Sequence, residues 1–170
     1  MADVAALLAR ARAAHIAQDM GRAVATMEAA AKAAPNDAQV AFMHAQMAYE
    51  GWYPAVALFE RALRLNPQNP DAVRNFALAL ASEGAGDRAE ALLSGICKRQ
   101  PAWVEGQVTL ARLRLLAGQG DTADRGLAEG VVAAPNSLPL RMAWFQFLAT
   151  QKDWARASAV LDGAGEGQAA

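Results

Sequence analysis

An all-α chain built from repeated helix pairs is the fold class this sequence predicts, and three observations predict it. Pro35, Pro67, Pro101 and Pro135 are spaced 32, 34 and 34 residues apart, so helix-stopping residues fall on a fixed clock. Counting back from each proline, a small–large–small pattern recurs. Twelve residues back stand Ala23, Ala55, Ala89 and Ala123; eight back stand Met27, Phe59, Leu93 and Leu127; five back stand Ala30, Ala62, Ile96 and Gly130. Composition agrees: a hydrophobic share of 54% comes largely from Ala, with only 6% aromatics, which favours helix over sheet.

Taken in order, the first pair covers about residues 4–36. Asp19 stands where its second helix begins, as Asp87, Asp121 and Asp153 do near later second helices, each offering an acceptor to orphan N–H groups. The second pair, about 37–69, has a first helix over 37–50. Val40, Met43 and Met47 form its buried stripe, with His44 in a place that normally takes a small residue. This copy is two residues short. Its inter-helix turn Glu50-Gly51-Trp52-Tyr53-Pro54 is the natural place for the deletion, with Gly ending one helix and Pro opening the next. The register of helix 37–50 is therefore open by a residue. Ala55, Phe59 and Ala62 then lie on one stripe of the second helix.

In the third pair, about 70–103, Val73, Phe76, Ala77 and Leu80 form the stripe and Gly84 ends the first helix. The fourth, about 104–137, places Leu110, Ala111 and Gly118 equivalently, with Arg114 in the usual aromatic place. The fifth, about 138–164, uses Trp144, Phe145 and Leu148. Asp153-Trp154 starts its second helix, and Ala157, Leu161 and Ala164 repeat the pattern. Residues 165–170 read as a flexible tail.

The combination Ala-x3-Phe-x2-Ala-x4-Pro at Ala55, Phe59, Ala62 and Pro67 resembles the second-helix signature of the tetratricopeptide-repeat family. With the other copies, the likeness extends over about residues 4–164. It implies an α-α superhelix, a right-handed solenoid of five helix–turn–helix units in a single domain, with first helices lining the concave face. Small residues let paired helices approach closely while the large one fills the neighbour's hole. No unit buries its apolar face alone, so the stack is what folds.

Chemistry is sparse. The sequence has no Gly-x-Ser-x-Gly elbow, no phosphate loop and no His-Glu-x-x-His, so no catalytic, cofactor or metal residues are assigned and no enzyme is expected. Gly84-Ala85-Gly86 reads as an inter-helix turn, lacking the strand a nucleotide loop needs. His15 and Asp19 share a helical face, which more often means a local contact than a metal pair. Cys97, the only cysteine, reads as a structural thiol; it forms no internal disulfide and suggests a reducing cytosol. Phe59, Phe76 and Trp144 read as core. A net charge of −1 gives no footprint for nucleic acid. No segment approaches the length of a membrane span, and no signal peptide is read at the N-terminus, so a cytoplasmic protein is expected.

What remains is the groove that the resemblance implies. Its partner-facing positions map to Arg12 and His15, Phe42 and Tyr49, Arg74, Asn75 and Leu78, Thr109 and Arg112, and Met142 and Gln146. Such a series could hold a protein or peptide segment, amides satisfying its backbone and guanidinium groups pairing with carboxylates. The family's clamp for C-terminal carboxylates is not supported: Leu8, Arg12, Glu105 and Thr109 stand where its basic and amide residues belong. Two other readings stay open. Phrases such as Leu-Leu-Ala-Arg-Ala-Arg-Ala-Ala-His are similar to repeat modules preceding bacterial sulfotransferase or 2-oxoglutarate/iron oxygenase domains. Homo-oligomerisation is the second, through end helices near residues 1–14 or 154–161, since no cap helix follows the fifth copy.

Overall fold

A computed structural model describes residues 3–162. Ala164 and the tail 165–170 lie outside the described residues. Among the described residues there are ten helices: α1 Val4–Ile16, α2 Met20–Ala33, α3 Ala38–Glu50, α4 Val56–Leu65, α5 Pro70–Ser82, α6 Gly86–Arg99, α7 Val104–Leu116, α8 Gly120–Ala133, α9 Leu138–Thr150 and α10 Trp154–Asp162. They fall into two compact units, residues 1–85 with α1–α5 and residues 86–170 with α6–α10. In the first unit each helix packs on its successor, and the first helices α3 and α5 also touch. The second unit repeats this, with α7 against α9.

The short turns explain why the chain folds back at each step. Gln18, Trp52, Gly84, Gly118 and Lys152 all have φ between +60° and +84°. The next residue donates its N–H back to the carbonyl five residues earlier: Asp19 to Ala14, Tyr53 to Ala48, Ala85 to Leu80, Gln119 to Arg114 and Asp153 to Leu148, all at 2.7–3.0 Å. This left-handed cap satisfies the last carbonyls of each first helix and turns the chain into the second. First helices in turn begin at Asp3, Asp37, Asn69 and Ser137, whose side chains accept from N–H groups of the first turn. Trp103 holds that place before α7 and offers no side-chain cap. Its ring lies over Gly106 instead, where an added Cβ would come within 2.0 Å.

The repeating pattern is the core. Ala23, Ala55, Ala89 and Ala123 are wholly buried, as are Met27, Phe59 and Leu93, with Leu127 nearly so. Ala30, Ala62 and Gly130 close the third place, but in α6 burial passes from Ile96 to its neighbour Cys97. In α9 the buried side chains are Leu140, Phe147 and Leu148. Trp144 and Phe145, expected as core, are half-buried. Trp144 instead donates its indole N–H to Asp124 of α8 at 2.7 Å, and Arg156 of α10 clasps both Asp124 oxygens at 2.9 Å. Three helices thus meet on one carboxylate. Burial raises the Asp124 pKa, but the bonds from Arg156 and Trp144 outweigh it and hold the carboxyl below its ordinary value.

Arg114 answers the missing aromatic of the fourth pair. Its side chain is 11% exposed, pairs with Glu90 of α6 at 3.1 Å and donates to the Thr122 carbonyl at 3.2 Å. Gly126 leaves it room, since a Cβ there would sit 3.0 Å from Arg114 Nη1.

The short second pair differs from the sequence expectation in one respect. Trp52 lies seventeen residues past Pro35, just as Gly84 lies seventeen past Pro67, so helix 37–50 keeps full register. The shortfall falls after Trp52. Pro54 does not open the helix: α4 starts at Val56 and has 10 residues where α2, α6 and α8 each have 14. Its missing first turn leaves N–H groups without a local cap. Glu83, at the end of α5, accepts from Ala55 N at 2.8 Å and Val56 N at 3.2 Å and closes α4 from the next repeat.

Candidate partner-binding faces

In the first unit, the proposed partner residues sit on α1, α3 and α5. Arg12 is exposed, while Phe42, Tyr49, Arg74, Asn75 and Leu78 are half-buried. Phe42 and Tyr49 both lean on the buried Phe59, with ring centroids 6.4 Å away in each case, Tyr49 edge-on. His15 is engaged: its Nε2 lies 2.9 Å from Glu50 Oε2, joining the ends of α1 and α3. Asp19 does not share a site with it, because its carboxylate accepts from Arg22 N at 3.0 Å and caps α2. Arg74 pairs loosely with Asp71 at 3.5 Å, and its Nε is buried without a partner.

In the second unit the structure brings two of the proposed residues together. Arg112 of α7 and Gln146 of α9 line one open cleft of about 180 Å³, with Val108, Ala111, Ala143 and Phe147 among its apolar walls. Met142 is exposed on α9. Thr109 is buried, and its hydroxyl donates to the Glu105 carbonyl at 2.6 Å, the i−4 bond that helical Thr often makes.

Buried titratable groups are few. His44 packs inside the first unit, where burial lowers its pKa; Arg61 and Lys32 add to that and Glu28 opposes it. Burial pushes the Cys97 thiol up to about 11, with the Arg114 guanidinium pulling the other way. A thiol so held is protonated at neutral pH and a poor nucleophile. Among the described residues no group of three or more His, Cys, Asp or Glu could hold a metal ion, and no helix is long and apolar enough to cross a membrane.

Sequence reading passes over a second feature of the first unit. Tyr49, Trp52, Tyr53, Pro54, Ser82 and Glu83 line one cleft of about 200 Å³. A signal for it was present in the spacing: of the five left-handed turn positions, four hold Gln, Gly, Gly and Lys and one holds Trp.

Comparison with known proteins agrees with this architecture. A sequence model of the tetratricopeptide repeat matches residues 55–113. No curated protein sequence matches the chain as a relative. Among solved structures, residues 41 to the end of MamA from Desulfovibrio magneticus RS-1 align at 15% identity and TM-score 0.68, covering 100% of this chain and 99% of that one. PilF of Pseudomonas aeruginosa aligns at 14% identity and TM-score 0.68, covering 98% and 77%. YrrB, described as a TPR protein with an unusual peptide-binding site, aligns at 18% identity and TM-score 0.60, covering 98% and 87%. At such identities the likeness speaks for fold: residues 55–113 match the tetratricopeptide repeat, and the helix pairs before and after them repeat the same all-α architecture.

Proposed function

We propose that this chain is a non-catalytic scaffold that binds an extended or helical segment of a partner protein on its first-helix faces. The observation that carries the reading is the cleft between α7 and α9, where Arg112 and Gln146 stand over apolar walls. An apolar floor supplies area for side chains, a guanidinium pairs with carboxylates, and an amide satisfies backbone groups of the incoming chain. In the first unit the equivalent face carries Arg12, Phe42, Tyr49, Arg74, Asn75 and Leu78, with Tyr49 and Phe42 braced on Phe59. His15 contributes through its bond to Glu50, and Thr109 through the shape of α7. YrrB, a protein of similar fold, is described as having an unusual peptide-binding site, which supports a peptide-binding reading.

Affinity capture from the native cell extract, followed by mass spectrometry, tests it. Wild-type protein is expected to retain a defined partner that Arg74→Ala/Arg112→Ala protein loses. Partners retained equally by both proteins, or none retained by either, would remove the groove reading.

A further inference from the structure

The cleft at the α3–α4 turn has a composition that its structural role does not require. Trp52 is 92% exposed, so its indole contributes almost nothing to packing, and it holds φ +62°, a conformation that bulky residues avoid. An exposed indole in a strained turn is a feature that folding alone gives no reason to keep. Its neighbours, by contrast, are fixed. Tyr49 stands edge-on to the buried Phe59. The Tyr53 ring passes within 3.0 Å of where a Cβ on Gly51 would lie, and its hydroxyl lies 3.4 Å from where a Cβ on Gly21 would lie. Glu83 is held at one oxygen by two backbone N–H groups, and no described residue bonds its other oxygen, Oε2.

The side chains lining this cleft favour positive charge, against the opposing N-terminus of α4 that Glu83 caps. Three aromatic rings carry electron-rich faces, one carboxylate stands among them, and no Lys, Arg or His lines the space. Tyr49 lies in the last turn of α3 and Ser82 in that of α5, so two helix C-termini add their partial negative charge there. We propose that this cleft is a receptor for an arginine side chain of a partner polypeptide, the guanidinium stacking on Trp52 and pairing with the open oxygen of Glu83. Arginine suits it better than lysine because a planar guanidinium can stack on a ring and offer paired donors to a carboxylate at once. The site shares only Tyr49 with the first-helix faces, so it stands or falls separately from them.

The test is nuclear magnetic resonance titration of the whole chain with a blocked Gly-Arg-Gly peptide, read at the assigned Trp52 indole N–H. Saturable shifts with a Kd of about millimolar order are expected for a single anchored side chain. The matching citrulline peptide, which keeps shape and loses charge, should bind about tenfold more weakly, and the lysine peptide less tightly than arginine. Trp52→Ala should remove the response. Glu83→Gln keeps an oxygen to cap α4 while losing the charge, so it should weaken the peptide by about five- to tenfold with the helical signal unchanged. Arg74→Ala/Arg112→Ala protein should respond like wild type. Equal binding of arginine and citrulline peptides, tighter binding of a Pro-Pro peptide than of arginine, or no Trp52 shift would overturn the assignment.

Discussion

Replacing Trp52 by glycine should make the protein more stable, although it deletes one of its largest side chains. The left-handed conformation at φ +62° costs a non-glycine residue about 1–2 kcal/mol. Glycine returns about 0.5–1 kcal/mol of that through its greater freedom in the unfolded chain. The indole offers no compensating loss, because it is 92% exposed. The balance is a gain of about 0.5–1 kcal/mol. Trp52→Ala separates backbone from side chain: it keeps the strained conformation, and its stability should stay within about 0.5 kcal/mol of wild type. Gly84 and Gly118, the same turn in later pairs, supply the reverse experiment. An added Cβ meets nothing within 4 Å at either, yet Gly→Ala there should destabilise by about 1 kcal/mol through φ alone. Urea unfolding followed by circular dichroism measures all four. A lower midpoint for Trp52→Gly than for wild type would refute the reasoning and mean that the indole packs against something.

Arg114→Ala strands Glu90, a quarter exposed, and should cost about 2–3 kcal/mol, less than a wholly buried pair; a double-mutant cycle with Glu90→Gln should show a coupling of about 1 kcal/mol or more. His44 has its folded pKa below the unfolded one, so the unfolded chain binds more protons on the acid side: stability is complete above about pH 6.5 and falls as pH drops below it. His44→Ala should flatten that part of the pH–stability curve in urea titrations between pH 7 and 5. Cys97, with its thiol near 11, should react with iodoacetamide at pH 8 about a hundredfold more slowly than free cysteine and reach the free rate only on unfolding, as mass spectrometry of the adduct would show.

The residues that repeat were readable because a repeat makes each copy a control for the others. Ala55, Phe59 and Ala62 gained their meaning from Ala23, Met27 and Ala30 one period earlier, and all six are buried. Departures were harder to place. A two-residue deletion leaves no mark of where it falls within a turn, and only the hydrogen bond from Tyr53 to Ala48 shows the first helix complete and the second cut short. The cap from Glu83 to Ala55 and Val56 spans 28 and 27 residues, too far for local spacing to reveal. Trp144 misled for a related reason: a large aromatic on a helix stripe reads as core, whereas its indole N–H needed Asp124, twenty residues away. On the first-helix faces, helical period alone could select Arg112 and Gln146. It could not tell that Thr109 turns its hydroxyl into its own helix.

Hydrogen–deuterium exchange of the captured complex tests the central claim most directly, because it reads first and second helices separately. With the partner saturating, protection should rise along α7 and α9 around Arg112 and Gln146, and on α3 and α5 in the first unit, while α2, α4 and α8 exchange as in the free protein. Protection confined to those second helices would place the partner on the opposite face and contradict the account.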